Sequence, residues 1–184
     1  MNKDQKLIII TGLPGSGKTS LALALQGKLN LPLISKDAIK ETLFDELGYS
    51  DREWSKKIGK ATFSLMDKQI NDLLSHGISL IVEANFKPEF DSHKFKQWID
   101  TYTCNAIQII CTADNKILFE RFKQRALDGQ RHPGHDDINQ LDEWSTYFSD
   151  PDLRSTPLEI PSKNIELDTS DLNTIAVDEI VKQL

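Results

Sequence analysis

The sequence predicts an α/β fold in which helices cover both faces of a mainly parallel sheet, and three observations carry that prediction. Short apolar runs alternate with longer stretches of helical spacing along the 184 residues. The runs are close to continuously apolar, the pattern of strands buried on both faces. The first run leads into a glycine-rich turn, and the turn into a helical pattern.

In chain order, Leu7–Thr11 is the first strand candidate, and Lys18–Leu29 follows as a helix in which Leu21, Leu25 and Lys28 keep helical spacing. Leu31–Ser35 is the second strand, followed by helical stretches at Asp37–Leu47 and Arg52–Ser75. Ile78–Glu83 is the third strand, with a helix at Glu89–Asp100 after it. Ala106–Cys111 is the fourth, followed by helices at Asn115–Asp128 and Asp137–Phe148. Ile165–Asp168 is the fifth, and Asp171–Leu184 the last helical stretch. No repeat, low-complexity tract or linker divides the chain, so one domain over residues 1–184 is expected. Turn formers gather at Arg131–Asp137 and Asp150–Lys163, which read as functional or connecting loops.

Composition narrows the function classes. Hydrophobic residues make up 39% of the chain, enough for a substantial core, and the net charge of −6 sets up no global field toward nucleic acid or anionic lipid. A local basic site is still compatible with that balance. Cys104 and Cys111 lie in or beside apolar runs and read as buried thiols, too few for a disulfide framework. The charged stretch Met1–Lys6 and the short run after it do not make a signal peptide or a membrane span, and a cytoplasmic protein is expected.

In a parallel sheet of this kind ligands bind beyond the carboxyl ends of the strands, so the residues just after each strand are the place to look for chemistry. After the first strand stands Gly12-Leu13-Pro14-Gly15-Ser16-Gly17-Lys18-Thr19, which meets every fixed position of G-x-x-x-x-G-K-[ST]. A polyphosphate needs several backbone N–H groups aimed into one concavity, and glycine lets the chain turn tightly and approach closely. The turn ends at a helix start, where unpaired N–H groups and the macrodipole favour anions. Lys18 then reaches the β and γ phosphates, Thr19 can ligate Mg²⁺, and Ser20 completes the nucleotide-binding run.

The later strand ends supply further candidates. Asp37, in Ser35-Lys36-Asp37, can accept the proton of an attacking hydroxyl or orient it; equally, Asp37 or Ser35 can cap the following helix. Glu83 ends the third strand where many P-loop enzymes place a metal-linked acid, and it reads as an outer-shell magnesium residue or a structural one. Asn85 is a substrate-contact candidate. Arg121 and Arg125 share a helix face, and Arg131 opens a segment whose Pro133 and Gly134 end the helix and permit a loop. A lid over residues 121–137 would bring guanidinium groups to a transferring phosphoryl group. His132 and His135 have a spacing two metal ligands could share, but a Pro-Gly turn separates them and no cysteine is near, so lid or substrate hydrogen bonding is the better reading. Trp54, Trp98 and Trp144 read as packing residues.

Taken together, the Gly12–Thr19 motif, Ser35-Lys36-Asp37, Val82-Glu83-Ala84-Asn85-Phe86, and the arginines with Arg131-His132-Pro133-Gly134-His135 resemble the small P-loop kinases of the AAA_33-like group. These include the polynucleotide 5′-kinase domain, the zeta-toxin kinases and chloramphenicol phosphotransferase. The resemblance spans about Leu7 to Thr169. It implies a five-stranded parallel sheet ordered 2-3-1-4-5, ATP with Mg²⁺, and an acceptor hydroxyl activated by the acid after the second strand, which Asp37 matches. Arg125 and Arg131 would be lid arginines, Arg121 would lie against the adenine, and the segment at Asp168–Thr169 would border the base. The acceptor itself is not implied.

The expected activity is therefore transfer of the γ-phosphate of Mg-ATP to a hydroxyl of a small-molecule or nucleotide-type acceptor. A polynucleotide 5′ end is the weaker option, since no aromatic-interleaved basic stretch occurs, although Lys36, Lys40 and Arg52 could line a narrow pocket for one end. The rivals are a regulatory ATP-binding module and a toxin kinase acting on a sugar nucleotide. A switch GTPase is disfavoured because no Asn-Lys-x-Asp element occurs.

Overall fold

The computed structural model describes residues 5–184, so the first four residues of the charged stretch Met1–Lys6 lie outside the described residues. The strands are β1 (Lys6–Gly12), β2 (Leu33–Ser35), β3 (Leu80–Glu83), β4 (Asn105–Thr112) and β5 (Lys163–Asp168). They pair in parallel in the order β2-β3-β1-β4-β5, as expected. The helices are α1 (Lys18–Leu29), α2 (Lys36–Leu47), α3 (Arg52–Ser75), α4 (Pro88–Tyr102), α5 (Asn115–Leu127), α6 (Leu141–Phe148) and α7 (Val177–Val181).

Side chains of a strand point alternately to the two faces, and this sheet is buried on both. Leu7, Ile9, Leu80 and Val82 face α3 and α4, where Met66, Ile70, Leu74, Phe95 and Trp98 meet them. Ile8, Ile10, Ile81, Ile107 and Ile109 face α1 and α7, against Leu21, Ala22, Leu25 and Ile180. In α3 the buried residues Ile58, Thr62, Met66, Ile70 and Leu74 recur every fourth position, a stripe that turns one side of the helix to the sheet. Gln108, fully buried in β4, binds Leu158, Ser162 and Asn164 through its amide and so fixes the run into β5.

Several boundaries differ from expectation for local reasons. Helix α2 begins at Lys36, so Asp37 lies inside the first turn instead of capping it; Ser35 holds the N-cap position but makes no side-chain cap bond. Helix α5 stops at Leu127, ahead of Pro133 and Gly134, and Gly129 takes φ +65° just beyond it. The expected helix Asp137–Phe148 opens instead as a 3₁₀ turn, Asp137–Gln140, because Asn139 and Gln140 bond back to Asp136. The stretch Asp171–Leu184 shortens to α7 after a 3₁₀ turn at Leu172–Thr174, where Asp171 accepts from the Asn173 amide and the Thr174 hydroxyl bonds the Asp171 carbonyl.

The turn from β1 into α1 depends on its glycines for two different reasons. Gly15 and Gly17 have φ of +82° and +77°, a region closed to most side chains. Gly12 has ordinary strand geometry, but a Cβ there would stand 2.4 Å from Ser16 Oγ and 2.9 Å from the Cys111 carbonyl. At Gly15 a Cβ would also fall 2.4 Å from the Leu118 carbonyl of α5, so this glycine seats the turn against α5 as well as shaping it. Gly15→Ala should therefore cost more than about 1 kcal/mol. Gly27→Ala, on the exposed face of α1 with nothing within 4 Å, should stabilise by about 0.4–1 kcal/mol. Urea unfolding of the two variants beside the parent checks both signs.

Candidate active site

The site is built along the carboxyl edge of the sheet. Helix α1 starts at Gly17, and no side chain caps it. Its first N–H groups are therefore left to a ligand or to water. Ser16 is fully buried in the turn, and its hydroxyl has no hydrogen-bond partner among the described residues. A buried orphan hydroxyl beneath an uncapped helix start suits a phosphate oxygen. Lys18 leaves the first turn of α1 with its Nζ 3.9 Å from Glu83 Oε1, and burial lowers its pKa against the pull of Glu83 and Asp37. Thr19 and Ser20 stand exposed at the rim of the turn.

Glu83 is the hinge between the turn and the second wall. It ends β3 in register with Ser35 of β2, so the two side chains point the same way, and Ser35 Oγ donates to Glu83 Oε2 at 2.7 Å. That bond holds the start of α2 against the sheet edge, one residue before Asp37. Asp37 accepts from Lys36 Nζ at 2.8 Å and from Arg131 Nη1 at 2.8 Å. Burial works to raise its pKa, but Lys36 and Arg131 outweigh it and hold the carboxyl well below the usual range. The carboxylate is thus ionised at any working pH.

The segment after α5 closes over α2 through a knot of polar contacts. Besides Asp37, Arg131 approaches Glu41 at 3.5 Å and Asp137 at 3.3 Å, and it donates to His135 Nδ1 at 3.2 Å. His135 donates in turn through Nε2 to Glu41 at 3.0 Å, and burial lowers its pKa, so the ring is neutral at pH 7. The backbone of Gly134 lies against Phe44, where a Cβ would meet the ring at 2.5 Å. His132 stacks on the same ring, accepts from the Gly134 amide and reaches Asp45 at 3.1 Å.

Between these walls lies a cavity of about 360 Å³. Lys18, Lys36, Asp37, Lys40, Arg52, Glu83, Asn85, Arg125 and Arg131 all border it, so of the site residues expected after α1 all but three meet here. Arg125 enters with its Nε buried and without a partner, its guanidinium 5.9 Å from the Phe122 ring centroid. Arg52 borders the mouth and is held by both oxygens of Glu143 on α6.

Three expected residues sit elsewhere. Arg121 diverges from Arg125 and donates to the carbonyls of Thr169 and Ser170, each at 2.7 Å, tying α5 to the end of β5. Thr169 is fully buried and spends its N–H and hydroxyl on the Thr112 carbonyl. His132 does not border the cavity; His135 does. Sequence reading missed Glu41, Ser55, Lys56, Gly59, Phe63, Asp137 and Gln140. The only signal for them was helical spacing: Glu41 follows Asp37 by four residues, and Ser55, Gly59 and Phe63 repeat by four on α3. Trp144 packs on Phe122 at 4.8 Å as expected and also edges the cavity. Trp98 packs on Phe95 in the core.

A parallel five-stranded sheet ordered 2-3-1-4-5 with this turn at the end of its central strand defines a kinase-like P-loop nucleotide-binding protein. The AAA domain family AAA_33 matches residues 7–151, and the chain belongs to it. The crystal structure of a candidate kinase from Chloroflexus aurantiacus superposes with a TM-score of 0.86 at 35% identity, covering 97% of this chain and 96% of that one. A cytidylate kinase from Saccharolobus islandicus is 33% identical over 82 residues, 43% of each chain, so this match spans less than half of that relative. A shikimate kinase from Rhodopirellula baltica is 24% identical over the whole of this chain and 92% of its own length. The Pnkp1/Rnl/Hen1 complex shares the fold at 17% identity and a TM-score of 0.51, over 66% of this chain and 40% of that one. No helix among the described residues is long and apolar enough to cross a membrane.

The pairing of Asp37 has a consequence for stability. A carboxyl whose folded pKa lies below its ordinary value of 3.8 stabilises the fold above that pH, and the contribution is lost as pH falls toward the folded value. Asp37→Asn should therefore show a shallower loss of stability between about pH 4 and pH 2 than the parent, measured by urea unfolding across that window. Parallel curves for the two proteins would show that the Asp37 carboxyl is not held by its cations.

Proposed function

We propose that this protein transfers the γ-phosphoryl group of ATP to a hydroxyl of a small-molecule or nucleotide-type acceptor. The observation that carries the reading is that Lys18 and Asp37 border one cavity, which Arg125 and Arg131 also line. An ionised carboxylate bordering the same cavity as the phosphate-turn lysine supports transfer to an acceptor hydroxyl over nucleotide binding alone.

In this reading the amides of Gly12–Thr19 and the hydroxyl of Ser16 hold the phosphates, and Lys18 lies along the β and γ groups. Asp37 accepts a hydrogen bond from the acceptor hydroxyl and orients its oxygen toward the γ-phosphorus. As the new O–P bond forms and the bond to the leaving ADP breaks, the hydroxyl proton passes to Asp37 and from there to solvent. Arg131, already bonded to Asp37, keeps that carboxylate in place, while the unpartnered Nε of Arg125 is free to meet a phosphoryl oxygen. Mg²⁺ would be held at the same edge by the exposed Thr19 hydroxyl with Glu83 nearby, and when bound it would neutralise charge on the β and γ phosphates. Arg121 and the residues after β5, including Leu172 over Gly17, would flank the base.

The test is ADP release from Mg-ATP across nucleosides, sugar nucleotides, antibiotics and 5′-hydroxyl oligonucleotides, with Lys18→Ala as the blank. Acceptor-stimulated release that disappears in the blank is expected, and slow hydrolysis indifferent to every acceptor would instead favour a regulatory module. Asp37→Asn should leave ATP affinity intact and lower turnover by about a hundredfold or more. Unchanged turnover would remove Asp37 from the reaction.

A further inference from the structure

The cavity walls are strongly basic in an acidic protein. Seven of the bordering side chains are Lys or Arg and three are Asp or Glu, although the whole chain carries a net charge of −6. The phosphates of a nucleotide account for Lys18 and Arg125, and Asp37 accounts for Lys36 and Arg131. Arg52 is matched by Glu143. Lys40 is left over. It is 8% exposed, and among the described residues no carboxylate lies within ion-pair distance of its Nζ. The ammonium donates to Ser55 Oγ at 2.9 Å and sits 5.1 Å from the Phe44 ring centroid, and both partners are neutral.

A buried ammonium without a direct ion pair is costly even with Asp37 and Asp137 nearby, and it is tolerated where a ligand completes it. Burial first, then Lys36, bring its pKa down to about 8 against the pull of Asp37 and Asp137. The surroundings are built for close approach. On α3, Gly59 leaves the space beside Lys40 open, with only the Lys40 Cε as near as 4.0 Å to where a Cβ would stand.

Lys40 follows Asp37 by three residues on α2, so the two side chains lie on one face about 5–6 Å apart at Cβ. We propose that the acceptor carries an anionic oxygen-acid group, carboxylate or phosphate, that binds Lys40 and Ser55 while its hydroxyl meets Asp37. The substrate class is then a small hydroxylated anion whose charge and reacting hydroxyl are about one helical turn apart. This rests on the kinase reading above and adds the charge of the acceptor to it.

The experiment has two arms that fail separately. In the first, ADP release from Mg-ATP is measured with matched acceptors: hydroxy acids beside their methyl esters, and sugar or nucleoside monophosphates beside the unphosphorylated compounds. The anionic member should have at least a tenfold higher kcat/KM, and the pair that shows it identifies carboxylate or phosphate. Lys40→Met should reduce the ratio of anionic to neutral kcat/KM at least tenfold. Equal use of both members, or an unchanged ratio in Lys40→Met, overturns the inference and leaves the kinase reading standing. In the second arm, orthophosphate and malonate are titrated into the protein held with Mg²⁺ and a non-hydrolysable ATP analogue. Binding weakened at least tenfold by Lys40→Met, and to a lesser degree by Ser55→Ala in a variant that melts with the parent, supports the site even if no acceptor stimulates turnover. Absence of binding, or binding indifferent to Lys40→Met, overturns it.

Discussion

The contact between Arg131 and Asp37 is the interaction on which the rest of the site depends. At 2.8 Å it ties the segment after α5 to the first turn of α2, and it does so inside the cavity wall, with the two side chains only 17% and 21% exposed. A surface pair is worth about 0–1 kcal/mol, but removing one partner of a buried pair costs about 3–5 kcal/mol because the other charge is stranded. This half-buried pair lies between the two limits. Glu41, Asp137 and His135 complete the hydrogen bonding of the guanidinium, so it is fixed in direction as well as in charge. This arginine thereby lines the cavity, joins Lys36 in lowering the pKa of Asp37 and ties the segment after α5 to α2.

The sheet supplies the other half of the arrangement. Parallel strands end together at one edge, and register carries the polar residues there into contact: Ser35 with Glu83, and Glu83 with Lys18 across β1. The phosphate turn and Asp37 therefore hang from adjacent parts of the same rigid edge, joined through one buried glutamate. Concentrating so many cations at that edge is compatible with an acidic chain because the carboxylates lie mostly elsewhere on the surface. The resulting field is local, suited to a small anionic ligand rather than to a long polyanion.

Much of this was legible in the sequence, and the reasons are physical. Buried strands must be apolar, so their positions and the parallel architecture could be read directly, and the P-loop is a local motif whose function is carried by adjacent residues. Asp37 could be proposed because a strand end is a predictable place, whereas the resemblance set Arg121 against the adenine and gave no sign of its bonds to the Thr169 and Ser170 carbonyls. What sequence could not show was pairing at long range. Nothing in the string joins Arg131 to Asp37 and Glu41, or His135 to Glu41, across about ninety residues. Whether Asp37 capped the second helix was equally open until α2 was seen to begin at Lys36. The role of Gly12 was hidden too, since its requirement comes from Ser16 and the Cys111 carbonyl and not from its own backbone angles.

The most direct measurement of the central claim, that Asp37 and Arg131 act as one unit in phosphoryl transfer, is a double-mutant cycle. Acceptor-stimulated turnover would be measured for the parent, Asp37→Asn, Arg131→Met and the double variant. The account predicts strong non-additivity, with the double variant about as impaired as the worse single one. Two losses that simply multiply would contradict it, placing the two residues in separate roles.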